Sequence, residues 1–189
     1  AEFIFWNHDI KWSIRDLPGI AKTKTHLEGI IDDLPKNSPY WWSKQRAEYL
    51  LNQMSERHRA IAEKMIKDKN ISYGTVFRRI RKGRSMAELR TDGIAGCLRT
   101  PRGGSGRQIL FVAGKGDYAA RLLTPIECAR LMGADNFRIT VPSNKALFGF
   151  GDAVCVPVIR WIAENYLNAV WKELHGYEEN EKAYLSKAS

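Results

Sequence analysis

The residues from Arg121 to Gly133, RLLTPIECARLMG, constrain the local fold of this chain more tightly than any other stretch. Thr124 and Glu127 stand three apart with Pro125 between them, which is a capping box with proline at the first helical position. The threonine oxygen accepts a backbone N–H, and the glutamate returns to the N–H of the cap itself. Gly133 supplies the left-handed stop. A second helical segment is expected from about Asp152, with Val154, Val158, Trp161, Ile162 and Ala169 on one apolar face. Pro157 is awkward inside a helix, so the regular turns should begin only just before it. A polar loop is expected between the two.

The 189 residues suit one domain or two incomplete ones, and 44% hydrophobic content is enough for a core. Thirty Lys plus Arg against 21 Asp plus Glu leave a formal charge of +9. Such an excess favours a polyanionic partner, because neutralising phosphates releases counterions. Cys97, Cys128 and Cys155 are widely spaced and form no CxxC pair, so the sequence predicts no metal site and no disulfide framework. No run of about eighteen apolar residues is present, and no signal-peptide pattern opens the chain. The expectation is a cytoplasmic protein with no membrane partner.

Phe3 to Trp6 is short and aromatic and reads as a strand. Residues 9–39 are punctuated by Pro18, Gly19, Gly29, Pro35 and Pro39 and read as loop. Tyr40, Trp41 and Trp42 are a base-stacking surface or, preferably, a hydrophobic staple for the next helix. From Ser43 to about Lys69, Leu50, Leu51, Met54, His58, Ile61, Met65 and Ile66 make one stripe, which predicts a single long scaffold helix. From Ser72 to Gly83, Arg78, Arg79, Arg81 and Lys82 crowd around Phe77 and Ile80 on an expected strand. Charges so dense repel one another without a nearby anion. Leu89, Ile94, Leu98 and Ile109–Val112 read as short strands.

Between them runs RTPRGGSGRQ, with three arginines and three glycines in ten residues. Glycine lets a backbone approach phosphate, and arginine forks onto phosphate or onto guanine O6 and N7. The candidate nucleic-acid contacts read from these residues are Arg78, Arg79, Arg99, Thr100, Arg102, Gly103, Gly104, Ser105, Arg107 and Gln108. The alternative is a flexible surface hairpin.

LTPIECARLMG closely resembles the ninth conserved block of DNA cytosine-5 methyltransferases, and FGFGDAVCVPVIRWIA resembles their tenth, with the family's separation between the two. The resemblance implies an α/β fold: the incomplete edge of an S-adenosylmethionine-dependent core plus a small strand-rich target-recognition domain. It divides the chain into a core strand at 1–8, a recognition domain with a long helix at 9–120, core helices at 121–170 and a peripheral tail at 171–189. It places Asp152, Ala153 and Val154 at the cofactor pocket, although the family's usual residue at the first position is asparagine. Arg121, Glu127 and Arg130 become structural ties. Cys97-Leu98 matches the location of the family's Thr-Leu dipeptide, without the threonine, and on that ground the resemblance adds Cys97 and Leu98 to the candidate DNA contacts. The reacting carbon is shielded in the duplex, so such an enzyme flips its base.

The resemblance also implies what should lie upstream: a glycine-rich cofactor turn, a Pro-Cys nucleophile and a Glu-Asn-Val segment. The cysteines here follow Gly96, Glu127 and Val154, and the nearest match to the last segment is Glu164-Asn165-Tyr166. No catalytic residue is therefore assigned. The expectation is a C-terminal portion that reads duplex DNA, helps form the S-adenosylmethionine pocket and takes its catalytic cysteine from an N-terminal half. Phe3–Trp6 and the helix from Val154 are the expected docking face. The alternatives are a non-catalytic DNA-binding or scaffold module and, more weakly, an RNA-binding module.

Overall fold

The computed structural model describes residues 2–20, 26–100 and 106–175. The chain forms two compact units: Thr23–Val156, and a smaller one made by Ala1–Lys22 with Pro157–Ser189. The architecture is mixed α and β, as expected.

The larger unit is built on a four-stranded antiparallel sheet in the order β2-β1-β3-β4. Its strands are β1 (Ser72–Arg81), β2 (Arg84–Arg90), β3 (Ile109–Gly114) and β4 (Asp117–Leu122). Strand alternation splits its side chains between two cores. Ile109, Phe111 and Ala113 join Val76, Ala87 and Leu89 beneath helices α2 (Lys44–Asn52) and α3 (Glu56–Lys67). Leu110, with Tyr73 and Val112, packs on the other side against Leu27, Leu123, Cys128, Ala146 and Phe150. That second layer comprises helices α4 (Pro125–Leu131) and α5 (Ser143–Asp152) and the segments around residues 27 and 95.

Two hairpin turns are set by backbone handedness. Lys82 and Gly83, both at positive φ, join β1 to β2 in the two-residue turn that suits strand twist. Gly114 has φ +151°, and a Cβ there would collide with the Asn70 carbonyl, so glycine is required where β3 ends.

The capping box of α4 forms as read: Thr124 Oγ1 accepts from the Glu127 N–H at 3.2 Å, and Glu127 Oε2 accepts from the Thr124 N–H at 2.7 Å. Gly133 follows the helix at φ 67°. Glu127 also forms a two-pronged ion pair with Arg121, at 2.7 and 2.5 Å, and both side chains are fully buried. The Asp32 N–H donates to Glu127 Oε1 at 2.9 Å, and Arg130 holds the Ile30 carbonyl and the Asp32 carboxylate. These side chains therefore tie α4 and β4 to the 30–32 loop. Trp41 and Trp42 pack into the two cores, which fits the staple reading.

Four expectations are corrected. Phe3–Trp6 lies in a short helix, α1 (Glu2–Trp6), not a strand. No neighbouring strand pairs with it among the described residues, and local hydrogen bonding wins. The long helix is two, α2 and α3. The chain breaks between them because Ala87 of the sheet donates to the Gln53 carbonyl, and Ser55 then caps α3. Ile94 and Leu98 lie in irregular chain rather than strands. The expected polar loop before Asp152 contains α5, whose apolar Ala146, Leu147 and Phe150 belong to the second core. After three non-helical residues, α6 (Val156–Ile162) carries Pro157 in its first turn, and helical structure continues to His175.

The smaller unit pairs residues 2–20 with that final helical stretch. Arg15 grips the Glu173 carboxylate and lies 5.9 Å over the Tyr166 ring, while the Tyr166 hydroxyl donates to the Ser13 carbonyl. Phe3, Phe5, Trp6, Val158, Ile159, Leu167, Trp171 and Leu174 remain exposed. The helical stretch Ser143–His175 is long and apolar enough, by length and composition alone, to cross a membrane, where the sequence reading expected no span. Its interruption at 153–155 departs from a continuous span.

Candidate nucleic-acid interface

From Arg90 the chain leaves the sheet and crosses the second core. Leu27 donates to the Gly93 carbonyl at 2.8 Å, and Thr75 Oγ1 donates to the Ile94 carbonyl at 3.3 Å. Gly96 then passes over Gln108, where a Cβ would meet the side-chain amide. Gln108 is buried, and its Nε2 donates to the Cys97 carbonyl at 3.2 Å. Its side chain thus holds the loop from beneath, and the sequence reading of it as a DNA contact missed that inward turn.

Cys97 and Arg99 are exposed, while Leu98 packs at the rim of the second core. The Thr100 hydroxyl donates to the Asp152 carboxylate, at the end of α5. On the returning limb, Arg107 donates to Asn144 Oδ1 at 3.0 Å, at the start of the same helix. Arg99 and Arg107 share a small cavity with Leu147 and Phe150 of α5. Both limbs of the loop therefore rest on one helix. Arg102, Gly103, Gly104 and Ser105 lie outside the described residues.

Arg78 and Arg79 are consecutive on β1 and face opposite sides of the sheet. Arg78 lies on the α2 side, where it and Arg46 flank the Trp42 ring at 5.9 and 4.0 Å. Burial, then the neighbouring Arg46 charge, lowers the pKa of Arg78. The two guanidiniums thus share one aromatic ring on this side of the sheet. Arg46 was not anticipated, because its partner Arg78 is 32 positions away in sequence. Arg79 stacks on Phe77 and lies 3.8 Å from Glu88, which also binds Arg81 at 2.8 Å.

Asp152, Ala153 and Val154 are exposed. Ala153 and Val154 line an apolar cleft of about 440 Å³ with Phe137, Ile139, Phe150 and Val156. The Val156 N–H donates to the Met132 carbonyl at 2.9 Å and closes its floor against α4. The sulfur chemistry is equally informative. Cys128 is buried, and burial, then the Glu127 charge, pushes its thiol up to about 12. A thiol of that kind is neutral at physiological pH and a poor nucleophile. No cluster of metal-ligating side chains is present among the described residues.

The sequence profile of C-5 cytosine-specific DNA methylases matches residues 7–168, which is most of the chain. The chain belongs to this family. The Type II methyltransferase M.NlaX of Neisseria lactamica is 56% identical to this methylase chain over 45 residues, a stretch that is 23% of the chain and 14% of that protein. The matched region thus spans about a seventh of the relative's length.

Proposed function

We propose that this methylase chain is the C-terminal portion of a DNA (cytosine-5-)-methyltransferase. It reads duplex DNA through the loop arginines Arg99, Arg102 and Arg107, with Arg78 and Arg79 in support. The observation that carries the reading is that α5 bears both limbs of this arginine–glycine loop and ends at Asp152, the first of the three residues that the family resemblance assigns to the cofactor rim. One helix thus supports two functions that a base-modifying enzyme must hold in register.

The proposed division is a recognition domain at 9–120, core helices at 121–170 and a tail at 171–189. Residues 1–8 belong to the core edge. For S-adenosylmethionine, the fit is partial. Ala153 and Val154 offer an apolar wall suited to the uncharged part of such a molecule, while the Asp152 carboxylate is occupied by Thr100. Other residues, on an N-terminal catalytic half, complete the pocket and supply the nucleophilic cysteine. When bound, the cofactor supplies the methyl group; this chain contributes orientation of DNA and one rim of the site. The exposed apolar side chains of α1 and of the helix from Val156 support a face covered by that half. The setting is cytoplasmic, in a restriction-modification context, as the relative's Type II name suggests.

The test is duplex binding by the purified chain over a salt series. Binding that falls steeply with salt, and that the triple variant Arg99→Ala, Arg102→Ala, Arg107→Ala weakens by about tenfold or more, is expected. A variant that holds DNA as firmly as before contradicts the reading. The second reading, a non-catalytic DNA-binding module, shares the charge of +9 and fails if an added catalytic half restores methyl transfer.

A further inference from the structure

Asp152 stands where the family resemblance expects a residue of the cofactor pocket, yet its carboxylate is turned to the Thr100 hydroxyl. The neighbouring glycine makes the same approach through backbone alone. A Cβ on Gly151 would overlap the backbone of Arg99 and Thr100, so the outgoing limb of the loop lies directly against the end of α5. At the other end of that helix Asn144 takes Arg107. Beneath lies the small cavity bounded by Leu98, Leu147 and Phe150, and the buried Gln108 amide holds the Cys97 carbonyl. The outgoing limb of the loop is therefore fixed by four features: a glycine seat, a charge-assisted hydrogen bond, an apolar underside and an internal amide.

We propose that Asp152 and Gly151 are positioning residues for DNA reading: they seat the outgoing limb of the arginine–glycine loop so that Arg99 is presented at a fixed place relative to the cofactor rim. This rests on the reading of that loop as the DNA contact. It assigns Asp152 to the DNA side of the α5 terminus and leaves Ala153 and Val154 facing the apolar cleft. It also accounts for the aspartate. A carboxylate is the stronger acceptor for a hydroxyl donor, and an asparagine oxygen can take the same bond more weakly.

Charge makes the role separable from a surface effect. A carboxylate near a phosphate-binding loop opposes DNA, so its removal on electrostatic grounds alone strengthens binding. Seating predicts the opposite sign. The experiment uses the full chain, a fluorescein-labelled pool of random duplex DNA, and hydrogen exchange of the loop limbs. Asp152→Ala and Thr100→Val should each weaken duplex binding by about tenfold and speed exchange at residues 98–100. The double variant should be no weaker than the worse single one, because both remove one bond. Asp152→Asn keeps an acceptor for the Thr100 hydroxyl and should weaken binding far less than Asp152→Ala, whereas a purely electrostatic role would make the two variants alike. Asp152→Ala that binds DNA as well or better, with unchanged exchange, overturns the proposal; so does a double variant whose loss is the product of the two. If exchange speeds as expected but neither these variants nor the Arg99, Arg102 and Arg107 substitutions change DNA affinity, the seat stands as a structural feature. The DNA-reading role is then what fails.

Discussion

At the residue scale the decisive groups are buried charge and buried sulfur. Arg121 and Glu127 are both fully buried, and every oxygen of the glutamate is engaged. A buried pair is poor evidence for net stabilisation, but losing one member strands the other. Glu127→Ala should therefore lower unfolding stability by about 3–5 kcal/mol in denaturant melts. Replacing both residues by apolar ones should cost much less than the sum of the single losses. Cys128 gives a pH signature. Its folded pKa, about 12, lies above the ordinary thiol value, so the folded state holds this proton more tightly than the unfolded chain. That advantage is intact below the unfolded thiol pKa and is lost as pH rises towards 12. Between those limits the parent should lose up to about 1.4 kcal/mol per pH unit more than Cys128→Ala, read from melts at stepped alkaline pH. Parallel slopes would remove the buried-thiol argument.

At the element scale, local chemistry was readable where it acts within a few residues. The α4 capping box needed only Thr124, Pro125 and Glu127, and it forms as read. The α2–α3 break was hidden because its cause is Ala87, on a strand 34 positions beyond Gln53. Helix α5 was hidden by Gly149 and Gly151, which weaken its propensity. Its reason for existing is tertiary: Ala146 and Phe150 fill the second core, and Gly151 admits the loop. The same logic explains the inward turn of Gln108. A polar residue beside an arginine–glycine loop reads as a contact, and only the close passage of Gly96 shows it to be a support. The hairpin turns test this scale. Gly83→Ala faces open space, so only its positive φ is penalised, at roughly 1 kcal/mol. Gly114→Ala meets the Asn70 carbonyl as well and should cost substantially more in the same melts. Equal losses would mean that the turn, not the close packing, governs that corner.

At the scale of the whole molecule, the charge of +9 and the family assignment support the proposed reading of DNA, in which the reacting sulfur lies on another polypeptide. Cys128 is a buried, neutral thiol, and Cys97 and Cys155 follow Gly96 and Val154 rather than proline. Aromatic and aliphatic side chains of α1 and α6 are exposed, and in the proposed reading the N-terminal half covers them. The most direct measurement is transfer of labelled methyl from S-adenosylmethionine to duplex DNA, by this chain alone and after addition of a family N-terminal half that carries the Pro-Cys nucleophile. The account predicts no incorporation from the chain alone and incorporation once the two are combined. Methylated cytosine made by the chain unaided would contradict it.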